Sequence, residues 1–272
     1  MGFKYQFYSI VLMDLKYKAI ILKKRGIKIS SIAKTIRKSE RTVNKYTKGI
    51  PHPNNIGLKP LPKSANGLSI KKAEILGYLS SEGTDYKTVE KRWEFHKNRN
   101  KFYWRSRKRS VIEFSNTNNI LLKHFQNLMN LIYGYIPKIN KKSMIRINRI
   151  KVMKDLRKYS RFGSRRWRVP AEILNSNNKT IKKSFCRAFF DGDGTIELKK
   201  KEVRMDSKNS IGLKQLAKLL ESLGIKCKFY NFRSRFRIVI KDIDLFYSEI
   251  GSLHPEKLKK LKFICGFNAP FT

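Results

Sequence analysis

Apolar and polar positions along this chain follow several rhythms. Between residues 16 and 49 the apolar residues fall into three short clusters with helical spacing: Ile20, Ile21 and Leu22; Ile32, Ala33 and Ile36; Val43 and Tyr46. Gly26 and Gly49 supply stops, and Ser30 and Ser39 supply N-caps for the second and third helices. Residues 51–68 carry no such rhythm. They hold Pro51, Pro53, Pro60 and Pro62 among Asn54, Asn55, Gly57, Asn66 and Gly67, which predicts a linker and a domain boundary. Further on, amphipathic helices are predicted over 119–132 and 210–223, each preceded by a strand-like segment and followed by a glycine, Gly134 or Gly224.

These two helices belong to an internal repeat. Phe114-Ser115-Asn116-Thr117-Asn118 followed by Leu122-Lys123 matches Met205-Asp206-Ser207-Lys208-Asn209 followed by Leu213-Lys214, an offset of 91 residues. Upstream of each copy runs a small-residue helix that ends in acid-Gly: Ile75-Leu76-Gly77-Tyr78-Leu79-Ser80-Ser81-Glu82-Gly83, and Cys186-Arg187-Ala188-Phe189-Phe190-Asp191-Gly192-Asp193-Gly194. A duplication of this size predicts two halves, 69–174 and 175–272, related by a pseudo-two-fold axis.

The acid-Gly helices carry the chemistry. Gly77 and Ala188 correspond, and small residues there let two helix backbones approach closely. Gly83 and Gly194 suit a left-handed residue just past each helix end, which puts Glu82 and Asp193 at the negative ends of their helix dipoles. Two such acids side by side need a compensating cation, and a divalent ion with oxygen ligands answers that need. The alternative reading of either motif alone is a plain helix stop; two copies at the head of one repeated unit count against it.

Charge changes the picture next. Against 20 Asp+Glu stand 62 Lys+Arg, a formal net charge of +42, which points to a polyanionic partner and away from an ordinary metabolic enzyme. Arg233, Arg235 and Arg237 alternate with Ser234, Phe236 and Ile238, so a strand there presents three arginines on one face. Arg105, Arg107 and Arg109 alternate likewise, within a stretch from Lys87 to Arg109 that carries ten Lys or Arg interleaved with Trp93, Phe95, Phe102, Tyr103 and Trp104. A long hairpin lying along nucleic acid is the preferred reading; the alternative is a charged hairpin whose aromatics pack on the core. Scattered histidines (His52, His96, His124, His254) speak against a zinc hydrolase, and the absence of a phosphate-binding glycine loop speaks against ATP-driven chemistry. Three distant cysteines form no CxxC pair, and the longest early apolar stretch, Ser9 to Met13, is too short to span a membrane. An intracellular, cytoplasmic or organellar, protein without a membrane partner is expected.

Two resemblances follow. Ser30-Ser31-Ile32-Ala33 and Ser39-Glu40-Arg41-Thr42-Val43 resemble the helix-turn-helix of recombinases and bacterial-type regulators, which implies an all-α DNA-binding domain over 1–50 with Arg41, Thr42, Asn44 and Lys45 facing the major groove. A small helical cap with a solvated face is the other reading of that segment. The two acid-Gly segments resemble the LAGLIDADG motifs of the homing endonuclease family through Gly77, Glu82 and Gly83 and through Ala188, Asp191, Asp193 and Gly194. Val169-Pro170-Ala171-Glu172-Ile173 and Ser207-Lys208-Asn209 flank the second motif in the family's manner. The resemblance spans 69–267 and resembles the single-chain, two-motif members. It implies an α+β fold, a duplicated αββαββα core with two saddle-shaped antiparallel sheets. It also implies a monomer that cuts double-stranded DNA at long asymmetric targets with Mg²⁺ or Mn²⁺ held by Glu82 and Asp193. Basic residues beside the metals are a family habit; Lys257 and Arg165 are the candidates by location. Ser80 stands where the motif has its first Asp, and Glu82 where it has its last. A non-cutting transcription regulator on the same scaffold, and an intron-RNA maturase, are the other functions compatible with these residues.

Overall fold

The structure, a computed structural model, describes residues 14–25, 27–50, 60–96 and 100–267. The chain divides into two compact units, Met1–Pro60 and Leu61–Thr272.

In the first unit, helices α1 (residues 14–24), α2 (Ile29–Thr35) and α3 (Glu40–Tyr46) close around Ala19, Ile32, Ala33, Ile36 and Val43. Ser39 caps α3, accepting a hydrogen bond from the Thr42 amide. Ser30 does not cap α2. Ile29 packs against the small core and is drawn into the first turn, so the helix begins after Lys28 and Ser30 lies inside it. Lys23 ties α1 to the end of α3 by donating to the Thr47 carbonyl and hydroxyl. Gly26 lies outside the described residues, and Gly49 follows α3 with φ +81°.

The second unit begins earlier than the linker expected over 51–68 allows. Residues 51–59 lie outside the described residues, but Lys63–Ala65 forms a 3₁₀ turn with Ala65 buried. The turn is anchored from both sides: Ser64 donates to the Ile132 carbonyl, and the fully buried Lys72 donates to the Ala65 carbonyl and to Asp155. A buried ammonium demands such partners, and it recruits this segment into the core.

Two helix-led halves follow. The first runs α4 (Ile70–Glu82), β1 (Gly83–His96), β2 (Lys101–Ser115), α5 (Asn119–Tyr133), β3 (Met144–Ile147), α6 (Ile150–Tyr159). A short helix, α7 (Ala171–Leu174), leads into the second: α8 (Lys179–Asp193), β4 (Gly194–Glu197), β5 (Glu202–Ser207), α9 (Ser210–Glu221), β6 (Lys228–Phe232), β7 (Arg235–Ile240), α10 (Ile243–Glu249), α11 (Pro255–Ile264). The repeated asparagines are N-caps: Asn118 accepts from the amides of Ile120 and Leu121, and Asn209 from that of Gly212.

Both sheets are antiparallel, in the orders β1-β2-β3 and β4-β5-β7-β6. Four strands were expected in each half. In the first, the fourth is reduced to a single bridge, Ile139 to Ile145. Pro137 stands three residues after Gly134, where the fourth strand would begin, and proline brings no N–H to a ladder. In each sheet one face packs on the helices: Ile112 and Phe114 in the first, Met205, Ile238, Val203 and Ile240 in the second, all fully buried. The other face carries the alternate residues into solvent.

The halves are joined by α4 packed along α8. A Cβ on Gly77 would sit 2.8 Å from the Ala188 Cβ and 2.5 Å from the Phe185 carbonyl oxygen, so the two backbones are in contact there. Gly83 and Gly194 do not adopt the left-handed conformation expected of them; their φ values are −86° and −78°, and each is the first residue of a strand. Each helix passes straight into a strand that needs extended backbone. Glycine is required because a side chain would collide with Leu79 or with the Phe190 ring. Gly77→Val is therefore expected to push α4 off α8 and cost about 1–3 kcal/mol, read as a lower urea midpoint at unchanged m-value.

Candidate active site and nucleic-acid faces

The α4–α8 contact delivers both acids to one place. Glu82 is the last residue of α4 and Asp193 the last of α8. Gly192 lies against Ser81 and the Glu82 side chain, without room for a Cβ. Each acid opens into its own cleft. One, about 370 Å³, is lined by Glu82, Asn116, Lys142, His254 and Lys257; the other, about 220 Å³, by Ser81, Asp193, Asp206, Lys208 and Arg235.

Electrostatics bears out the crowding. Burial lifts the Glu82 carboxyl above its usual range, with Lys257 opposing the shift. Asp193 is pushed up to about 7, first by burial, then by the Glu82 charge, with Asp206 adding to it. Lys257 is pulled down to about 8 by burial, although Asp191, Asp193 and Glu82 hold it up. Its Nζ donates to the carbonyls of Phe190, Asp191 and Gly192, at 2.8, 2.8 and 3.1 Å. An ammonium there caps the negative end of α8 and offsets the acids beside it.

Asp191 shows how Lys257 gets there. This buried carboxylate accepts from the Ser252 hydroxyl and the amides of Leu253 and His254, the turn that launches α11, on which Lys257 lies. Sequence reading matched Asp191 to a motif without assigning it a task. Its counterpart Ser80 has a buried hydroxyl with no hydrogen-bond partner, so the first half has no such latch. Arg165, the candidate basic residue of the first half, is exposed and lines neither cleft. The cations of the Asp193 cleft are instead Lys208 and Arg235, and His254, read only as a scattered histidine, lines the Glu82 cleft. Burial pulls the His254 pKa down, which favours the neutral ring.

The solvent faces of the sheets hold most of the expected arginines. On the first sheet Arg105, Arg107 and Arg109 share a face with Arg92, where Glu94 pairs with Arg105 and Arg107 and Glu90 with Arg92 and Arg109. On the second, Arg235 and Arg237 point to the solvent face and Arg237 forms a two-pronged pair with Asp206 at 2.6 and 2.8 Å. Arg233 does not belong to that face. It lies in the turn between β6 and β7, because the hairpin reverses at residues 233–234. In the N-terminal unit Arg41, Asn44 and Lys45 are exposed on α3, while Thr42 is partly buried against the Ser39 hydroxyl at 2.9 Å.

Among the described residues no group of three or more His, Cys, Asp and Glu side chains is placed to hold a metal ion, and no helix is long and apolar enough to cross a membrane. The two paired acids still suit Mg²⁺ or Mn²⁺. Such ions take few protein carboxylates and complete their shell with water and substrate phosphate, and the Glu82 charge is close enough to Asp193 to help raise it.

With the geometry established, residues 180–250, which span α8 to the end of α10, match the model of the LAGLIDADG-like domain. No curated protein sequence matches the chain. Among solved structures, mesophilic variants of the homing endonuclease I-DmoI are similar at 19% identity and a TM-score of 0.47, over 67% of this chain and 95% of theirs. The homing endonuclease I-WcaI bound to its DNA recognition sequence is similar at 16% identity and 0.45, over 79% and 97%. Full-length DUF199/WhiA from Thermatoga maritima is similar at 15% and 0.44, over 80% and 65%.

The raised Asp193 pKa carries a sign. From the ordinary 3.8 up to about 7 the folded chain holds a proton that the unfolded chain has lost, so stability falls as pH climbs through this window. Asp193→Asn is expected to raise the metal-free melting temperature, more at pH 8 than at pH 4, in differential scanning calorimetry. Added Mg²⁺ is expected to raise the melting temperature of the wild type only.

Proposed function

We propose that this protein is a divalent-metal-dependent endonuclease that cuts double-stranded DNA at a long, asymmetric site, working as a monomer. The observation that carries this reading is the pairing of Glu82 and Asp193 at the adjoining ends of α4 and α8, each opening into a cleft beside an arginine-bearing sheet. Both acids come from one chain, so one chain supplies the whole pair.

Glu82 and Asp193 are the residues that would hold Mg²⁺ or Mn²⁺. The bound ion supplies Lewis-acid polarisation of the scissile phosphate and lowers the pKa of water. Lys257 holds the end of α8 in place and balances the carboxylates before substrate arrives. His254 and Lys142 in the Glu82 cleft, and Lys208 and Arg235 in the Asp193 cleft, are the side chains that would meet the reacting oxygens of a bound phosphate. The two strands of DNA thus meet different side chains. Arg105, Arg107, Arg109 and Arg237, ordered by Glu90, Glu94 and Asp206, are the side chains this reading assigns to the major groove and the phosphates. Arg41, Asn44 and Lys45 of α3 extend the readout through the N-terminal unit. The cysteines are free, in keeping with a reducing intracellular setting.

Cleavage of a randomised plasmid library in Mg²⁺ tests the proposal. Wild type is expected to cut, and Glu82→Gln and Asp193→Asn each to lose at least about a hundredfold in rate while still retarding DNA in gels. Cutting that survives both changes overturns the mechanism, and binding without cutting by the wild type identifies a regulator. Lys257→Met is expected to cost at least tenfold in rate and to lower the melting temperature, because it leaves three carbonyls and two acids uncompensated.

A further inference from the structure

Pairing in the β1–β2 hairpin places Trp93 opposite Trp104 and Phe95 opposite Phe102. The four rings form one continuous ladder: Trp93 to Trp104 at 5.0 Å, Phe95 to Phe102 at 5.0 Å, and Trp93 to Phe102 at 5.9 Å with their planes within 3°. Their register puts them on the face that, nearer the core, packs on helices through Ile112 and Phe114. The helix layer does not reach this far. Trp104 is 63% exposed, Phe102 57% and Trp93 55%, so the ladder is not packed on the core. The arginines and their glutamates lie on the opposite face.

The ladder's own face is positive without pairing. Lys87, Lys91 and Lys108 share it, all exposed, and among the described residues none has an ion pair. Lys108 also lines a groove of about 500 Å³ between β2 and α6, with Ser110, Ile150, Lys154 and Arg157. Stacked rings beside a lysine-lined groove offer a surface to the flat faces of bases and a path for the phosphates attached to them. A duplex keeps its bases stacked on each other; unpaired bases free to stack on a protein are the ordinary state of RNA loops and ends.

We infer that this outer face of the hairpin binds single-stranded RNA by stacking bases on Trp93, Trp104 and Phe102, with Lys91, Lys108 and Lys154 on the phosphates. This surface is separate from the acid pair; its groove borders the arginine face, since Arg107 and Arg109 also line it. It does not depend on cleavage.

Two of the chain's three tryptophans lie on this face, and the third, Trp167, is buried, so intrinsic fluorescence reports on it. The experiment titrates the full chain with a 12-nucleotide oligouridine in 0.5 M salt, where phosphate-only contacts are largely lost. Expected for the wild type are quenched tryptophan emission and reduced acrylamide access; affinity, read for every variant by the anisotropy of end-labelled oligouridine, is expected to weaken at least about thirtyfold in Trp93→Ile/Trp104→Ile, since each lost stack is worth at least about fivefold. The double variant keeps β-forming apolar side chains, and its duplex binding and plasmid cutting are expected to match wild type. Lys91→Glu/Lys108→Glu is a second variant that leaves the rings in place and is expected to weaken RNA binding as well. Four results overturn the inference: RNA binding untouched by the tryptophan substitutions; a 12-nucleotide oligodeoxyuridine bound as tightly; emission of the free protein already shielded from acrylamide, which means that the chain covers its own ladder; or sedimentation showing a dimer that the double variant abolishes, which makes a second copy the occupant.

Discussion

The contact between α4 and α8 governs the rest of the second unit. Two helix backbones approach closely only where side chains are nearly absent, and Gly77, Ala188 and Gly192 meet that demand. Larger residues at those positions would separate the helices and with them the two carboxylates. The same contact makes the acids costly, because each sits at the negative end of a helix, partly buried and facing the other. The stability given up there is what a bound cation would recover, so the core packing and the chemistry rest on one geometric choice.

Symmetry in the backbone does not extend to the side chains. Asp191 anchors the turn before α11 and so sets Lys257 under the end of α8, whereas Ser80 leaves its hydroxyl unpaired in the equivalent place. The first sheet projects a hairpin of 14- and 15-residue strands, against 4 and 6 residues in β4 and β5. It gives up its fourth strand at Pro137. The two halves therefore present unequal sheets and unequal clefts, as the proposed cutting of an asymmetric duplex would require.

The long hairpin separates two kinds of surface by strand alternation alone. Even-numbered positions of β1 and odd-numbered positions of β2 carry arginine and glutamate; the others carry rings and lysine. Salt bridges pre-order the first set, while the rings of the second stay exposed beside lysines that have no ion pair among the described residues. Such a division follows from a period of two once the strand outruns the helices that would cover one side.

Much of this was legible in the sequence because it depends on local periodicity and on repetition. The 91-residue repeat, the asparagine caps, the small residues at Gly77 and Ala188, the acids at the helix ends and the alternating arginines are all properties of neighbouring positions. Tertiary structure decided what depends on distant partners. It made Gly83 and Gly194 extended instead of left-handed, because each helix feeds directly into a strand. It moved the start of the core back to Leu61, because a buried Lys72 needs the Ala65 carbonyl. It set Lys257, and not Arg165, among the acids, because only the second half has a carboxylate free to hold the preceding turn. And it left the aromatic ladder bare, since whether a helix reaches a strand's far end is fixed by how the layers stack, which no local pattern records.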